Sequence, residues 1–252
     1  MLMKCLTKLL PIAAVICLGV QSCDKYDNDD KGAGKTPKVY LGHEYVDLGL
    51  KVKWATCNLG ATTPDEYGDY FAWGDTATYY KAGYAQEHPQ AHWKEGKTDG
   101  YKWSTYKYCN GSKSTMTKYC NNSAYGNIDS DTTLLPVDDA AHYMWGGNWR
   151  MPTHEELKEL SDSCDWEWTT QNDVDGWKVT SKKDSSQSIF LPASGYRFNA
   201  YFYNLTSGGY YRSSSLNTDL PNEAWILSYN SESRSVDGSS RFYGYSIRPV
   251  FK

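Results

Sequence analysis

The chain has 252 residues and a net charge of −4 at neutral pH, from 26 basic and 30 acidic side chains. No stretch concentrates lysine and arginine, which excludes the basic surface that phosphate contacts require, so we expect no nucleic-acid partner. Aromatic residues make up 15% of the chain, with 22 tyrosines and 10 tryptophans. So many amphipathic rings suit a surface that binds sugars or proteins, as well as a core.

The first 22 residues have the pattern of a secretory signal peptide. Lys4 and Lys8 precede an apolar run over 9–20, which is too short for a membrane-spanning helix of about 20 residues. The run ends in Val-Gln-Ser-Cys, which resembles a bacterial lipobox with Cys23 as the acylated residue. An ordinary cleaved signal with an incidental cysteine is the alternative. With lipidation, the lipid anchor would be the only contact with the membrane.

Residues 23–38 are polar and acidic, with almost nothing that could pack, and this composition predicts a flexible tether. Acidic residues directly after the lipidated cysteine resemble the surface-export signal of lipoproteins in the Bacteroides group. Loss of the signal peptide removes two lysines and no acids, which makes the mature net charge −6. We therefore expect an outer-membrane or cell-surface protein with a single domain over 39–252.

Apolar and polar residues alternate near the start of this domain, which predicts short strands at 45–48, 52–57 and 67–75. Residues 76–133 are rich in Tyr, Lys, Ser, Thr, Asn and Gly and show little periodicity. This second region is predicted to be a long irregular excursion, of a kind that often carries function.

Two helices are predicted next, at 137–146 and 153–164. In the second helix, Thr153 and Glu156 have the spacing of a capping box, in which each side chain accepts a hydrogen bond from the other residue's amide. The remainder reads as strand after strand, at 165–169, 176–181, 188–195, 208–215, 224–230 and 244–250. The pattern predicts an α+β fold with a sheet rich in antiparallel pairs.

Several sequence blocks fall in order between Glu44 and Val250: EYVDLGL, KWATCNLGA, EYGDYFAWGD, WGGNWRMPT, IFLPASGYR and GYSIRPV. Together they resemble the Fibrobacter succinogenes major paralogous domain, a family similar to the C-type-lectin-like folds and the formylglycine-generating enzymes. The resemblance implies a C-type-lectin-like α+β fold with short strands, two helices and long irregular loops. It implies less about function, because this fold carries many ligands.

The stretch GGYYRSSS at 208–215 departs from the family, which usually has Tyr-Trp-Ser-Ser there. We interpret it as a core strand rather than a linker or a nucleophile loop. Arg212 stands where relatives carry tryptophan. Either the guanidinium replaces a buried ring, or it faces the ligand, and we include it among the ligand-binding candidates.

Enzymatic chemistry has no recognisable site in the sequence. Ser213, Ser214 and Ser215 lack a Gly-x-Ser-x-Gly frame and an identifiable base. The oxidase chemistry of formylglycine-generating enzymes uses a pair of cysteines in the C-terminal core region, but no cysteine follows Cys164. We therefore expect a protein that is not an enzyme and carries no cofactor.

We also expect no metal site. His88 and His92 flank a proline in an irregular region and are interpreted as loop histidines. Asp138 and Asp139 are better explained as acids that cap a helix than as calcium ligands.

The cysteines after residue 23 match no zinc-binding spacing. Cys109 and Cys120 bracket a short polar loop and could form a disulfide in an exported protein. Free buried thiols are the alternative.

Two C-terminal segments, 195–209 and 231–244, mix aromatic rings with Asn, Ser, Gly and Arg. Binding surfaces have this composition, since rings supply area and small polar groups supply adaptable hydrogen bonds. The resemblance places both segments on one face, with exposed loop residues, whereas Tyr196 and Tyr245 are expected to be structural. The predicted ligand-binding residues are Phe198, Asn199, Tyr201, Tyr203, Arg212, Asn217, Asp219, Arg234, Arg241, Phe242 and Tyr243.

These features favour a surface lipoprotein whose lectin-like domain binds a glycan or protein ligand in adhesion or recognition. The alternative is a structural or assembly component of the cell envelope, such as a pilus tip. Residues 198–204 and 231–243 are also dominated by types reachable from adenine-rich codons. That bias is typical of variable proteins diversified by retroelements, which have a similar fold.

Overall fold

The computed structural model describes residues 37–79 and 100–252. The predicted signal peptide, Cys23 and most of the predicted tether lie outside the described residues, as do His88 and His92. The described chain is an α+β fold of mostly short antiparallel strands and two α-helices. Within these two ranges, no helix is long and apolar enough to cross a membrane.

The first sheet joins the start of the described chain to its end. Its strands are β1 (Lys38–Tyr40), β2 (His43–Val46), β3 (Lys53–Ala55) and β12 (Val250–Phe251), in the order β1-β2-β3-β12. Strands β2 and β3 overlap the two predicted strands in this region. Because β12 pairs with β3, the last residues of the chain are held against the first strands of the domain.

The first predicted helix is divided in two. Pro136–Asp138 form a 3-10 turn, and α1 (Ala140–Trp145) begins after Asp139. The backbone of Asp139 is extended, and its carboxylate accepts a hydrogen bond of 3.0 Å from the amide of His142. The side chain thus caps α1 as an N-terminal acid should, and the backbone N–H of Asp139 closes the preceding turn by donating to the Pro136 carbonyl.

The second predicted helix is confirmed as α2 (His154–Ser163), together with its capping box. The Thr153 hydroxyl accepts from the Glu156 amide at 3.3 Å, and the Glu156 carboxylate accepts from the Thr153 amide at 2.9 Å. Leu157 and Leu160 are buried on the face of α2 that packs against the C-terminal three-stranded sheet described below. The cap therefore fixes where a core-forming helix starts.

A second sheet follows α2, with the order β4-β5-β6. Its strands are β4 (Cys164–Gln171), β5 (Val174–Ser181) and β6 (Ser188–Pro192). Asn172 and Asp173 join the first two strands with φ of 48° and 63°. A two-residue hairpin turn with both φ values positive matches the right-handed twist of the strands, and Asn and Asp tolerate it.

The C-terminal part of the domain supplies a hairpin and a third sheet. The hairpin consists of β7 (Tyr196–Phe198) and β8 (Tyr201–Tyr203). The sheet has the order β11-β10-β9, with β9 (Gly208–Leu216), β10 (Glu223–Asn230) and β11 (Arg234–Ser240). The prediction of a strand over GGYYRSSS is confirmed.

The predicted strand at 67–75 is wrong. Gly68 and Gly74 both have positive φ, at 71° and 76°, and extended pairing is reduced to isolated bridges such as the one between Phe71 and Tyr245. The alternation of large and small residues here comes from rings that enter the core from an irregular backbone, since the segment's tyrosines and its Trp73 are buried.

Two C-terminal predictions also need correction. The segment 231–244 contains β11, which pairs with β10 over seven residues, although Ser, Asp and Gly are poor strand formers. The predicted strand at 244–250 is mostly irregular, because only Val250 belongs to β12 and the residues before it make isolated bridges. Local composition failed in both cases because pairing with a neighbour decides the structure.

Two main clusters of buried side chains form the core of the compact unit that spans residues 37–252. One cluster lies beneath the irregular excursion and contains Trp73, Tyr101 and Tyr119. The other lies between α2 and the second and third sheets and contains Leu160, Val179 and Leu227. The opposite face of the third sheet is buried at Arg212, Leu216 and Ala224, and its end around Tyr210 carries the surface described next.

Candidate ligand-binding surface

The hairpin β7–β8 has one core face and one outer face. Opposite residues in an antiparallel pair share a face, and the register pairs Tyr196 with Tyr203 and Phe198 with Tyr201. The other pair, Arg197 and Phe202, points to the core, where the Arg197 guanidinium lies 5.0 Å from the centre of the Tyr101 ring. The hairpin therefore presents four aromatic rings on its outer face.

Tyr196 lies at the centre of a larger set of rings. It stacks on Tyr203 with 5.4 Å between ring centres, and it meets Tyr210 at 4.9 Å and Tyr243 at 5.5 Å. We call this set the aromatic platform, and its members are Tyr196, Phe198, Tyr201, Tyr203, Tyr210 and Tyr243. Edge-to-face and offset-stacked contacts of this kind hold the rings in fixed orientations.

The platform is open to solvent along the hairpin. Tyr201 is 51% exposed and Tyr203 is 40% exposed, whereas the other members are half-buried. Burial raises the pKa of Tyr196, and the neighbouring tyrosines add to this effect. The central hydroxyl is therefore neutral at physiological pH, where it can both donate and accept a hydrogen bond.

A polar cleft of about 500 Å³ adjoins the platform at Tyr210. Ser228 and Ser235 are opposite one another and in register with Tyr210, so all three side chains lie on the outer face of the third sheet. The Asn204 amide donates a hydrogen bond of 2.6 Å to the Tyr210 hydroxyl, which ties the cleft to the platform. Further lining residues are Ser207, Asn230, Ser231, Glu232, Ser233 and Arg234.

Arg234, a predicted ligand-binding residue, lies at the edge of this cleft and is exposed. Its guanidinium stacks over Trp166 at 4.8 Å and donates to the Ser161 carbonyl at 3.1 Å. The positive charge of Arg234 is thus directed towards the C-terminal end of α2. The remaining lining of the cleft consists mainly of hydroxyl and amide groups. Flat rings beside such groups can bind a ligand that has both apolar faces and many hydroxyl or amide groups.

The prediction that Arg212 contacts the ligand needs correction, because its side chain is fully buried. The guanidinium donates to the carbonyls of Ser239, Ser240 and Tyr243 at 3.3, 2.7 and 3.1 Å, and lies 4.3 Å from the centre of the Tyr245 ring. Burial lowers the pKa of Arg212 to about 10, which leaves it charged at neutral pH. Arg212 therefore supports the platform through its core contacts with the Tyr243 carbonyl and the Tyr245 ring.

Arg241 and Phe242 are also buried, which contradicts their predicted place in an exposed loop. The Arg241 guanidinium donates to the Tyr106 hydroxyl at 2.8 Å and to the Tyr119 carbonyl at 3.0 Å. Phe242 packs on Trp103 with 4.7 Å between ring centres. Both side chains therefore fasten the irregular excursion to the C-terminal segment, a role that suits the rigid donor fork of arginine.

Asn217 and Asp219 lie away from the platform, in the turn between β9 and β10. Asn217 is buried, and its side-chain oxygen accepts from the Asp219 amide at 3.2 Å. Tyr210 is near the opposite end of β9, about 20 Å away at 3.3 Å per residue. These two residues therefore belong to a turn and not to the predicted binding face.

The structure does bring Phe198, Tyr201, Tyr203 and Tyr243 together, as members of the platform. Asn199 lies in the hairpin turn with φ of 51°, where its backbone pairs with that of Tyr101. Two platform members were not predicted as ligand-binding residues: Tyr210 was not selected, and Tyr196 was expected to be structural only. In a strand over GGYYRSSS, the adjacent Tyr210 and Tyr211 must point to opposite faces of the sheet. The sequence does not show which of these faces is exposed.

Asp138 does not cap a helix. One carboxylate oxygen accepts from the Lys107 ammonium at 3.0 Å and from the Tyr108 hydroxyl. The other accepts from Lys118 at 2.6 Å and Tyr119 at 2.7 Å. Two Lys-Tyr pairs thus converge on one carboxylate, and we call these five residues the Asp138 clamp. Burial acts to raise the pKa of Asp138, but the four hydrogen bonds outweigh it and hold the pKa well below its usual range.

In the part of the chain that the structure describes, no group of three or more His, Cys, Asp or Glu side chains could hold a metal ion. Cys57, Cys109, Cys120 and Cys164 are free thiols. Burial raises the pKa of Cys57, Cys109 and Cys164, so these three stay protonated at neutral pH.

No protein-family model, curated protein or solved structure matches this chain.

Proposed function

We propose that this protein is a lipid-anchored surface protein whose C-type-lectin-like domain binds a glycan or protein ligand through the aromatic platform. The observation that carries the proposal is the position of six neighbouring rings beside a cleft lined by serine and asparagine. The rings offer area at low entropic cost, and the small polar side chains offer hydrogen bonds that adapt to the ligand. Most of the rings belong to the β7–β8 hairpin, whereas Tyr210 and the cleft belong to the third sheet, whose other face packs in the core through Tyr211, Leu227 and Tyr229.

A glycan fits this combination well. The apolar face of a sugar ring can lie on an aromatic side chain, while its hydroxyls exchange hydrogen bonds with serine, asparagine and tyrosine side chains. The exposed rings of Tyr201 and Tyr203 are accessible for such stacking. A protein ligand would use the same rings as anchors, since tyrosine is enriched at the centres of interfaces.

Binding is favoured over catalysis because the serine hydroxyls in β9 are occupied by hydrogen bonds to backbone carbonyls. The Ser213 hydroxyl donates to the Trp225 carbonyl at 2.8 Å, and the Ser214 hydroxyl donates to the Pro152 carbonyl at 3.3 Å. Both side chains are buried. Hydroxyls that are committed to backbone carbonyls in a core strand are structural, because a nucleophile needs an adjacent base.

The proposed anchor and location rest on the sequence. The lipobox-like ending at Cys23, the acidic segment that follows it and the family resemblance all support export to the cell surface. Mass spectrometry of the protein from its native membrane tests the anchor. We expect Cys23 to carry a diacylglycerol group, with or without a third acyl chain. An unmodified Cys23 would refute the lipid anchor.

The binding proposal is tested by glycan and protein arrays probed with the full chain and with a Tyr203→Ala/Tyr243→Ala variant. The lost stacking should weaken binding to any ligand by about tenfold or more. Tyr143→Ala is the matched control, since Tyr143 is 67% exposed on α1 and outside the platform. Unchanged binding by the double variant would exclude this face. Crosslinking to one fixed protein on intact cells, without an array ligand, would instead favour a component of envelope assembly.

A further inference from the structure

Exposed apolar side chains concentrate at the edge of the domain where the described chain begins. Nine large apolar side chains are exposed among residues 37–79 and 100–252, and five of them lie in two short segments, 37–42 and 134–148. We call these five the apolar rim, and they are between 41% and 69% exposed: Val39, Leu41, Leu135, Val137 and Tyr143. Single exposed hydrophobic residues are ordinary on a protein, but a concentration of them marks a contact surface.

The two segments are neighbours in space. The side chain of Leu41 lies directly over Gly147, so close that a Cβ at Gly147 would overlap it. Gly147 follows α1 and lines the same cleft as Pro136, which stands between Leu135 and Val137 in the chain. The rim residues of the two segments therefore lie beside one cleft and form one surface. None of them belongs to the aromatic platform or to the polar cleft.

The rim is next to the point at which a lipid anchor would hold the domain. Pro37 is 14 residues after Cys23, and a polar coil of that length has an end-to-end distance of about 20 Å. From its number of residues, a domain over 37–252 has a diameter of about 45 Å. The anchor proposed at Cys23, on which this step rests, therefore keeps the surface around Val39 close to the bilayer. That proximity makes even a weak contact with lipid effective.

The two segments present no exposed carboxylate. Their only acids are Asp138 and Asp139, and both are buried. Lys38 is exposed on β1, and the first exposed acid after it is Glu44 in β2. The exposed part of the segments is thus apolar, cationic or uncharged, although the whole chain has a net charge of −4. Apolar side chains beside a lysine suit the surface of a bilayer, where aliphatic groups reach the acyl boundary and the ammonium meets phosphate.

We propose that the apolar rim rests on the lipid bilayer, as a second membrane contact besides the anchor at Cys23. The valine and leucine side chains enter the headgroup region, and the ring of Tyr143 lies at the boundary with water, where tyrosine is enriched in membrane proteins. A protein partner fits less well, because interface centres favour aromatic residues and arginine, whereas four of the five rim residues are aliphatic. The sequence alone predicted the lipid anchor as the only membrane contact, and the rim adds the domain itself.

The test uses the mature chain, residues 23–252, with a synthetic diacyl lipid joined to its N-terminus. It is inserted into phosphatidylcholine bicelles that contain a gadolinium-chelating lipid. The ¹³C-methyl signals of Val39 and Leu135 should lose most of their intensity through paramagnetic broadening, whereas those of Leu205, which follows the platform hairpin, should keep it. Because the lipid is attached chemically, a negative result speaks against the rim alone. An unmodified Cys23 in native membranes would speak against the proposed anchor instead.

Two double variants make the test decisive. Leu41→Asn/Val137→Ser removes apolar area from the rim, and asparagine tolerates the positive φ of 48° at position 41. In this variant the broadening of the two rim signals should fall about threefold or more, because less apolar area holds the domain on the lipid. Ile128→Ser/Leu220→Asn is the matched control, since it removes two exposed apolar side chains outside the rim and should leave the broadening unchanged.

Three results would overturn the proposal. The first is equal broadening of the Leu205 and rim signals, and the second is unchanged broadening in Leu41→Asn/Val137→Ser. The third is a shift of the rim signals when unlabelled chain is added without bicelles, together with no broadening beside the gadolinium lipid. That third result would favour a contact between copies of this chain.

Discussion

The guanidinium of Arg212 lies 4.3 Å from the centre of the Tyr245 ring, and Tyr245 in turn stacks on Tyr210 with 5.6 Å between ring centres. A buried cation thus contacts Tyr245, and the other end of this contact chain is Tyr210, which belongs to the aromatic platform. The same guanidinium holds the carbonyl of Tyr243, a second platform member, at 3.1 Å. Arg212 is a positioning residue for the surface it cannot itself reach.

Replacing Arg212 tests this role. Arg212→Met keeps the volume but leaves the carbonyls of Ser239, Ser240 and Tyr243 without donors, and we expect the free energy of unfolding to fall by about 3 kcal/mol or more. Arg212→Lys keeps the charge but loses the planar fork, so it should fall between Met and wild type. Urea denaturation measures both. A Lys variant as stable as wild type would show that charge alone, and not the geometry of the fork, is needed.

The Asp138 clamp predicts a stability that depends on pH. Because hydrogen bonds lower the pKa of Asp138 in the folded state below its ordinary value of 3.8, the folded state binds its proton less readily than the unfolded state. The stabilisation is therefore fully present above about pH 4 and is lost as the pH falls towards the lowered pKa. Asp138→Asn should lower the free energy of unfolding by about 1–3 kcal/mol at pH 7, because two lysines and two tyrosines lose their carboxylate but the lysines, at 35% and 29% exposure, remain solvated.

The measurement is urea unfolding of wild type and Asp138→Asn between pH 7 and pH 3. The difference between the two proteins should be constant down to about pH 4 and shrink below it, because protonated Asp138 resembles asparagine. A difference that stays constant to pH 3 would contradict the clamp. Asp162→Asn, an exposed substitution in α2, controls for general effects of charge removal.

Gly209 predicts a packing effect. A Cβ at this position would overlap the ring of Tyr229, which lies against the β9 backbone and donates to the Leu191 carbonyl at 2.8 Å. Gly209→Ala should therefore lower the free energy of unfolding by about 1–3 kcal/mol. In a double-mutant cycle with Tyr229→Leu, the cost of the alanine should shrink, because the ring it meets is gone. Additive costs would show that the glycine is needed for another reason.

The capping box of α2 gives a smaller expected effect. Thr153→Ala removes the acceptor for the Glu156 amide, and should lower the free energy of unfolding by about 1 kcal/mol. Thr153→Ser keeps the acceptor and is the matched control. Thermal unfolding followed by circular dichroism distinguishes them, and equal losses in both variants would mean that the methyl group, not the cap, matters.

The elements that the sequence predicted well depend on local chemistry. The box at Thr153 and Glu156, for example, needs only a four-residue spacing. The strand β11 was missed because its serines and Gly238 have no strand preference, and only the register with β10 makes it a strand. Pairing between distant segments cannot be read from composition.

The binding surface was predicted only in part, because it too depends on contacts between segments that are distant in the sequence. Rings were expected at 198–203 and 243, and these do converge, but the arginines were misjudged. A single arginine in a tyrosine-rich and serine-rich stretch looks like a ligand contact, whereas Arg212 and Arg241 are buried on backbone carbonyls. Backbone carbonyls that point inward leave no trace in the sequence, so the partners of these arginines could not be foreseen.

The most direct measurement of the central claim follows the tyrosine ring signals of the ¹³C-labelled full chain by NMR while the array-identified ligand is added. We expect the signals of Tyr203, Tyr210 and Tyr243 to shift together and saturate at one affinity, while the signal of exposed Tyr143 stays constant. A saturable shift of Tyr143 with no change at these three rings would contradict the claim that the aromatic platform is the binding surface.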